Sequence, residues 1–416
     1  MDYFLGKSKI LSLSLRFSSD NFMKAVILAA GEGKRLKPFT ERMPKVMLPV
    51  ANKPILEHIF NAIKNTGIEE IILVVGYKKE VIMDYFKDYK GIKITYIIQE
   101  KQLGTAHALL QVKNNIDDPF IVLAGDNIID GKSIHKLIQN KSEYSILIKE
   151  HFQPSKYGVV SIENNFLKQL VEKPKEEIGK FISTGIYKLT FDLFKKLEQL
   201  NKQGIHDLSS LVQSLLKDGV IFSAIIADSW MDIVYPWDLI KVNEIMLHDT
   251  KASIGGIVEK NVSIQGNVSI RRDTKIYSGS YIVGPVVIGK GCEIGPNVCI
   301  FPSTSIGDNC VIHPFNEIQN SIIMNDVHVG SNSFIKNTVV ARGSILGHNF
   351  STCSGENTME IEGEFIKVKK IGGLIGEDCI IENNVVVDPG FIIGRKCSIC
   401  SMKRIRENIQ SNSKVM

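Results

Sequence analysis

Isoleucine occupies positions 264, 270, 276, 282, 288, 294, 300, 306, 312 and 318, ten consecutive hits at a spacing of six. A second run holds Ile375, Ile381, Val387, Ile393 and Ile399. Neither a helical period nor simple strand alternation produces this pattern. One inward aliphatic per flat face of a three-sided coil does, and that coil is the parallel β-helix built from hexapeptides. The residue two before each isoleucine through Ile312 is small or β-branched, as in Val262, Thr274, Ser280, Cys292, Thr304 and Cys310. Cys379 and Cys397 hold the same slot in the second run. All seven cysteines lie after residue 290, and their slots read as buried small hydrophobes rather than a disulfide framework. Cys397 and Cys400 form a lone Cys-x-x-Cys, fewer ligands than a zinc site needs. Residues 352–370 break the repeat, and Ser354 to Lys370 reads as a loop projecting from the coil.

The chain before residue 251 has a different rhythm. From 24 to about 150, apolar strand-like runs such as Ala25-Val-Ile-Leu-Ala-Ala30 and Glu70-Ile-Ile-Leu-Val-Val75 alternate with helical segments. Repeated units of this kind give a mostly parallel sheet covered by helices on both faces. Strands dominate 144–233, with helices near 191–202 and 206–218, and 236–251 reads as a closing helix. At 416 residues the chain can fill two cores. The expected division is a loosely ordered extension over 1–22, an α/β Rossmann-like domain over 23–251, a left-handed parallel β-helix over 252–401 and a tail over 402–416. The extension lacks a small-residue cleavage site, and no apolar run approaches a membrane span. The net charge of +5 comes with no RNA- or DNA-binding motif, so neither nucleic acid nor membrane is an expected partner. Free buried cysteines fit a cytoplasmic protein.

The segment Leu28-Ala-Ala-Gly-Glu-Gly-Lys-Arg-Leu-Lys-Pro-Phe-Thr-Glu-Arg-Met-Pro-Lys45 follows the first strand, at the sheet edge where such folds bind ligands. Gly31 and Gly33 allow the backbone to approach phosphates. Lys34, Arg35, Lys37, Arg42 and Lys45 place five positive charges in twelve residues, which suits a triphosphate. Arg35 follows Lys34 where a phosphate-loop ATPase has Ser or Thr, and Leu36 stands where a dinucleotide fingerprint has its third glycine. A solvated basic loop is the plain alternative.

This segment resembles the signature loop of sugar-1-phosphate nucleotidylyltransferases. From about 23 to 400 the chain resembles the archaeal-type bifunctional enzymes that make UDP-N-acetylglucosamine, with an N-terminal uridylyltransferase and a C-terminal acetyltransferase β-helix. The resemblance implies that Leu28, Ala29, Ala30, Gly31 and Gly33 line the nucleotide site, and that Arg35 and Lys45 bind the triphosphate. Lys34 departs from the family's usual threonine. Gln99-Glu-Lys-Gln-Leu-Gly-Thr-Ala-His107 resembles the pyrimidine-reading segment, so Gln99, Gly104 and Thr105 would meet uracil or thymine, which points to UTP or dTTP. Asp126 and Asp232 match the family's magnesium (Mg2+) ligands. Gly158, Glu172, Lys173 and Ser183 match the sugar pocket. Asparagine commonly stands at the position of Ser183 in enzymes for N-acetylglucosamine 1-phosphate, so glucose 1-phosphate competes as the expected substrate. In the family the β-helix mediates trimer formation, so the resemblance also implies a homotrimer.

The family's acetyltransferase site uses an arginine, a lysine, a histidine and a tyrosine; the best-matching positions here are Phe301, Gln319, Ser331 and Phe334. No general base stands among them, and His313, His328 and His348 read as surface or turn histidines. The expectation is a nucleotidylyltransferase whose acetyltransferase site is lost. The alternatives are a bifunctional enzyme, with Lys367, Lys369 and Lys370 of the projecting loop as substitute cations, and a non-catalytic regulatory subunit.

Overall fold

The computed structural model describes residues 23–116 and 119–416. The extension expected over 1–22 lies outside the described residues. Nine strands form one sheet in the order Lys93–Ile98, Glu70–Val75, Lys24–Ala29, Phe120–Ala124, Phe181–Leu189, Tyr144–Glu150, Phe222–Ile226, Phe166–Glu172 and Gly158–Glu163. The first four run parallel. Phe181–Leu189 is antiparallel to both neighbours and begins the mixed half. Covered on both faces, the parallel strands are continuous apolar runs rather than alternating ones; Ile71 to Val75 are fully buried. Val26, Ile72 and Val74 pack beneath the helices Thr105–Leu110, Leu193–Lys202 and Leu208–Lys217. Ala25, Ile27 and Leu73 pack beneath Ile55–Ile63, Lys79–Phe86 and Gly131–Gln139. The carboxyl ends of the parallel strands therefore share one open edge. Among the described residues no helix is long and apolar enough to cross a membrane.

The helix Asp238–His248 leads into the left-handed β-helix, three parallel sheets of stacked short strands. Val268–Ile270 pairs with Val286–Ile288, one coil of eighteen residues later. The isoleucines from 276 to 318 point inward, at most 1% exposed, and Cys292, Cys310, Cys379 and Cys397 fill the buried small slots. The spacing of six slips to five at Ile318 to Ile323 and again at Ile335 to Val340, so that Ser305 pairs with Ile322 and Ile322 with Val339. Both slips lead into the same face of the coil.

Two expectations are corrected. The segment from Ser354 to Lys370 is not a loop but a β-hairpin, Gly355–Ile361 paired with Glu364–Ile371, inserted between two faces of the coil. Alternation of outward Lys and Glu with inward Met359, Ile366 and Val368 is the strand signal that reading passed over. Residues 402–416 are not a tail: Arg404–Ile405 and Lys414–Val415 pair with the coils before them. Ile405 continues the spacing of six from Ile399, and Val415 lies six after Ile409.

One face of the coil docks on the α/β domain. Ile322, Met324, Val339, Ala341, Ile371 and Leu374 share a core with Leu36, Phe39, Leu48, Val50, Leu239 and Ile240. Asn243 is fully buried at this junction. Its carboxamide oxygen accepts from Ala51 N–H at 2.8 Å and from Ser305 Oγ at 2.9 Å, and its amide donates to the Ser303 carbonyl at 3.0 Å. A buried amide satisfied on both ends fixes the relative placement of the two domains.

Candidate functional site

The open edge carries a cavity of about 550 Å³. Leu28, Ala29, Ala30, Gly31, Gly33, Lys34, Arg35, Lys45, Gln99, Gly104, Thr105, Asp126 and Asp232 all line it. The two carboxylates come together by strand pairing. Asp126 directly precedes the short strand Asn127–Ile129, and Asp232 ends Trp230–Asp232, with Asp232 opposite Asn127 in the antiparallel register.

Lys45 lies between them, its Nζ 2.6 Å from Asp126 Oδ2 and 3.6 Å from Asp232 Oδ1. Burial presses the amine toward neutrality, but Asp126 and then Asp232 outweigh it and hold the amine above its ordinary range. Asp232 has only the longer contact. Burial pushes its carboxyl up to about 6; Lys45 pulls against that rise, and Asp126 and Asp238 add to it. A buried carboxylate that lacks enough positive charge suits a second cation. Two carboxylates suffice for magnesium, which commonly takes its remaining ligands from water and substrate phosphates. Asp126 and Asp232 therefore fit a divalent cation, and no cluster of three or more metal-ligating side chains occurs among the described residues.

The backbone at Gly33 passes close over Lys45. Gly33 has φ +71°, and a Cβ built there would stand 2.7 Å from the Lys45 Cβ and 3.3 Å from Thr40 Cγ2. The loop thus turns through the left-handed region directly over the lysine, which only glycine permits without strain.

The five cations expected to face a triphosphate divide. Lys34, Arg35 and Lys45 line the cavity. Lys37 lies 3.6 Å from Glu32, and Arg42 points away to Asp378 on the coil, at 3.5 Å. Charge count in the sequence does not report direction, and domain docking claims Arg42.

At the other end of the cavity Gln99 is buried, and its amide nitrogen meets the Gly104 carbonyl at 3.3 Å and His107 Nδ1 at 2.9 Å. With the amide nitrogen so fixed, the carboxamide oxygen is the group left to accept from a base. Gly104 has φ +153°, and a Cβ there would lie 2.4 Å from the His206 carbonyl oxygen. Among the described residues its N–H has no backbone partner, so it is available to donate to a ligand. Thr105 Oγ accepts from Leu208 N–H at 3.0 Å, which ties this segment to the helix Leu208–Lys217.

Gly158, Glu172 and Ser183 meet beside the cavity, on neighbouring strands. Gly158 pairs with Glu172, and a Cβ at Gly158 would stand 3.0 Å from Glu172 Oε2 and 3.8 Å from Ser183 Cβ. Glu172 accepts from Ser209 Oγ at 2.9 Å, and Ser183 Oγ lies 3.0 Å from Tyr187 Oη. Lys173 is exposed, takes φ +43° and lies outside the cavity lining. Sequence reasoning missed Glu362, at the tip of the hairpin, which lines the same cavity. No local motif marks it, because its neighbours come from 327 residues away.

On the coil, Gln319 and Phe334 belong to one outward face with Phe301 at its edge. Ser331 N–H donates to His348 Nδ1 at 3.0 Å, and the His313 and His348 rings are 6.4 Å apart. An Nδ1 that accepts a hydrogen bond leaves the neutral ring's proton on Nε2.

Two family models match the chain: nucleotidyl transferase over residues 24–249 and the GMPPB C-terminal domain over 282–415. Bifunctional protein GlmU of Methanococcus maripaludis is 42% identical over 259 residues, covering 61% of this chain and 62% of that protein. The chain thus spans about three fifths of the length of this curated relative. The protein of the same name from Methanococcus vannielii is 36% identical over 406 residues, covering 94% of this chain and 97% of the relative. The UTP–glucose-1-phosphate uridylyltransferase AglF of Haloferax volcanii is 38% identical over 226 residues, 52% of this chain and 93% of its own. A crystal structure of a Bacillus anthracis protein described as a glucose-1-phosphate thymidylyltransferase superposes with a TM-score of 0.51 at 26% identity, covering 56% of this chain and 98% of that one.

Proposed function

The chain belongs to the nucleotidyl transferase family, in its two-domain GlmU-like form, and we propose that it joins a pyrimidine nucleoside triphosphate, UTP or dTTP, to N-acetylglucosamine 1-phosphate or glucose 1-phosphate. The observation that carries this reading is the convergence of Arg35, Lys45, Asp126 and Asp232 on one cavity at the carboxyl edge of the parallel strands. The activities for which the Haloferax and Bacillus relatives are named support both nucleotides and glucose 1-phosphate.

In this reading a phosphate oxygen of the sugar phosphate attacks the α-phosphorus. The new P–O bond forms as the bond to pyrophosphate breaks. The nucleophile is already an anion, so no general base is needed, and catalysis reduces to alignment and charge stabilisation. Asp126 and Asp232 would hold a magnesium ion, which would supply positive charge to offset the repulsion of the two phosphate groups. Arg35 and Lys45 supply the remaining positive charge. Gln99 Oε1 accepts from the pyrimidine N3–H and Gly104 N–H donates to a base carbonyl. Glu172 and Ser183 meet sugar hydroxyls, and Gly158 leaves room for the ring.

Pyrophosphate release over a matrix of nucleoside triphosphates and sugar 1-phosphates tests the proposal. Release with UTP or dTTP and one of the two sugars is the expected result; release only with purine nucleotides would remove the base-reading roles of Gln99 and Gly104. Gly33→Ala is expected to lower kcat/KM by about 10- to 100-fold, because the added methyl displaces Lys45. Parent-like kinetics in that variant would show that the contact with Lys45 is dispensable.

The same proposal assigns no acetyl transfer to the coil. The tautomer of His348 leaves Nε2 without a free lone pair, and Phe301, Gln319, Ser331 and Phe334 offer no base. Free thiol released from acetyl-CoA with glucosamine 1-phosphate would restore the bifunctional reading. The expected homotrimer is part of the proposal too. Docking uses one face of the coil, and Ile345 and Ile380, paired on another, are 48% and 54% exposed. Sedimentation as a monomer would remove it.

A further inference from the structure

We infer that the β-helix contributes a residue to the nucleotidyl-transfer site: Glu362 is the positioning residue for Arg35. This rests on the reading of Arg35 as a triphosphate ligand.

The hairpin Gly355–Ile371 is a fixed element. Met359, Val368 and Ile371 are each at most 8% exposed, in the core that also holds Leu36 and Phe39 of the phosphate-binding loop. Hairpin and loop therefore share one anchorage. The tip is a two-residue turn, with Glu362 at φ +51° and Gly363 at φ +80°, the backbone that keeps a hairpin's strands in register. Just beyond the turn, Glu364 accepts from Tyr235 Oη at 3.0 Å, and the Tyr235 ring stacks on Trp237 with centroids 4.9 Å apart. This aromatic pair follows Asp232 within five residues, so the tip is tied to the segment that carries a carboxylate of the site.

At the tip Arg35 Nε donates to Glu362 Oε2 at 3.2 Å. Among the described residues no hydrogen bond reaches the two Nη groups of Arg35. A guanidinium held through Nε presents its Nη pair as a fork, the geometry that suits two phosphate oxygens. Arg35 is 39% exposed, and without this hold a long, half-exposed side chain samples many rotamers. The opposite effect is also physical. A carboxylate beside a triphosphate repels it, and Glu362 could compete for Arg35. The two roles predict opposite signs for the same substitution.

The experiment uses the full chain and the dissociation constant for UTP and dTTP, alongside the KM of each substrate. Glu362→Ala is expected to weaken nucleotide binding by about three- to fivefold, the range an exposed ion pair supports. The KM for the sugar 1-phosphate should stay at the parent value. Glu362→Gln, whose amide oxygen still accepts from Nε, should recover most of the loss. In an Arg35→Lys background, Glu362→Ala should add nothing. A hairpin that only stabilises the fold would lower the melting temperature and spare nucleotide affinity. Tighter or unchanged nucleotide binding in Glu362→Ala overturns the inference, tighter binding marking the carboxylate as a competitor. A parent chain that binds neither UTP nor dTTP overturns the functional reading itself, a distinct failure.

Discussion

Asp126→Asn lowers turnover by about 10³-fold while the chain keeps a parent-like circular dichroism spectrum and melts within a few degrees of the parent. The amide fills the same volume, so the short strand that follows it and its pairing with Trp230–Asp232 should survive. What disappears is one of two charges that can hold a divalent ion. Lys45 keeps Asp232 at 3.6 Å, so its buried amine is not left without an anion, and the cost in stability is small. The measurement is pyrophosphate release at saturating substrates, paired with a thermal melt. Parent-level turnover in a folded variant would remove Asp126 from the metal site and with it the electrostatic reading of the cavity.

Lys45→Ala is the second large effect, a fall of about 10²- to 10³-fold in kcat/KM. Its physical signature lies outside turnover. Without the amine, Asp126 and Asp232 lose the cation that pairs with both, and a carboxyl already raised to about 6 by burial rises further. Added magnesium then occupies the place of the missing charge. The melting temperature of the variant should rise on adding magnesium by more than that of the parent, whose amine already offsets part of the repulsion. Equal responses in the two proteins would mean that Lys45 and the ion do not neutralise the same pair of charges.

The coil was legible because its chemistry repeats. One aliphatic per face recurs every six residues, and no other arrangement keeps Ile264 through Ile318 on the inside. The site was legible for a related reason: its parts sit at strand ends, as Asp126 after Phe120–Ala124 and the Gly33 loop after Lys24–Ala29. Contacts between the halves were not legible. Arg42 reads as a phosphate ligand until Asp378 is placed beside it, 336 residues on. Ile322 and Val339 look like surplus aliphatics next to Ile323 and Val340, and only the docked domain explains why both sides of those strands are buried. The hairpin combines both difficulties. Its alternation is local and readable, but the significance of Glu362 depends on where the tip lands.

The Gly33 loop serves two masters within ten residues. Gly33 and Arg35 face the cavity, whereas Glu41 accepts from Ser411 Oγ at 2.8 Å and Arg42 reaches Asp378, both on the coil. A chimera grafting residues 23–251 onto another scaffold would cut those tethers and bare Leu36 and Phe39 to water, loosening the turn that carries the active cations. The two halves are thus not interchangeable cassettes, and exchanging substrate preference between relatives calls for substitutions inside the cavity rather than wholesale exchange of domains.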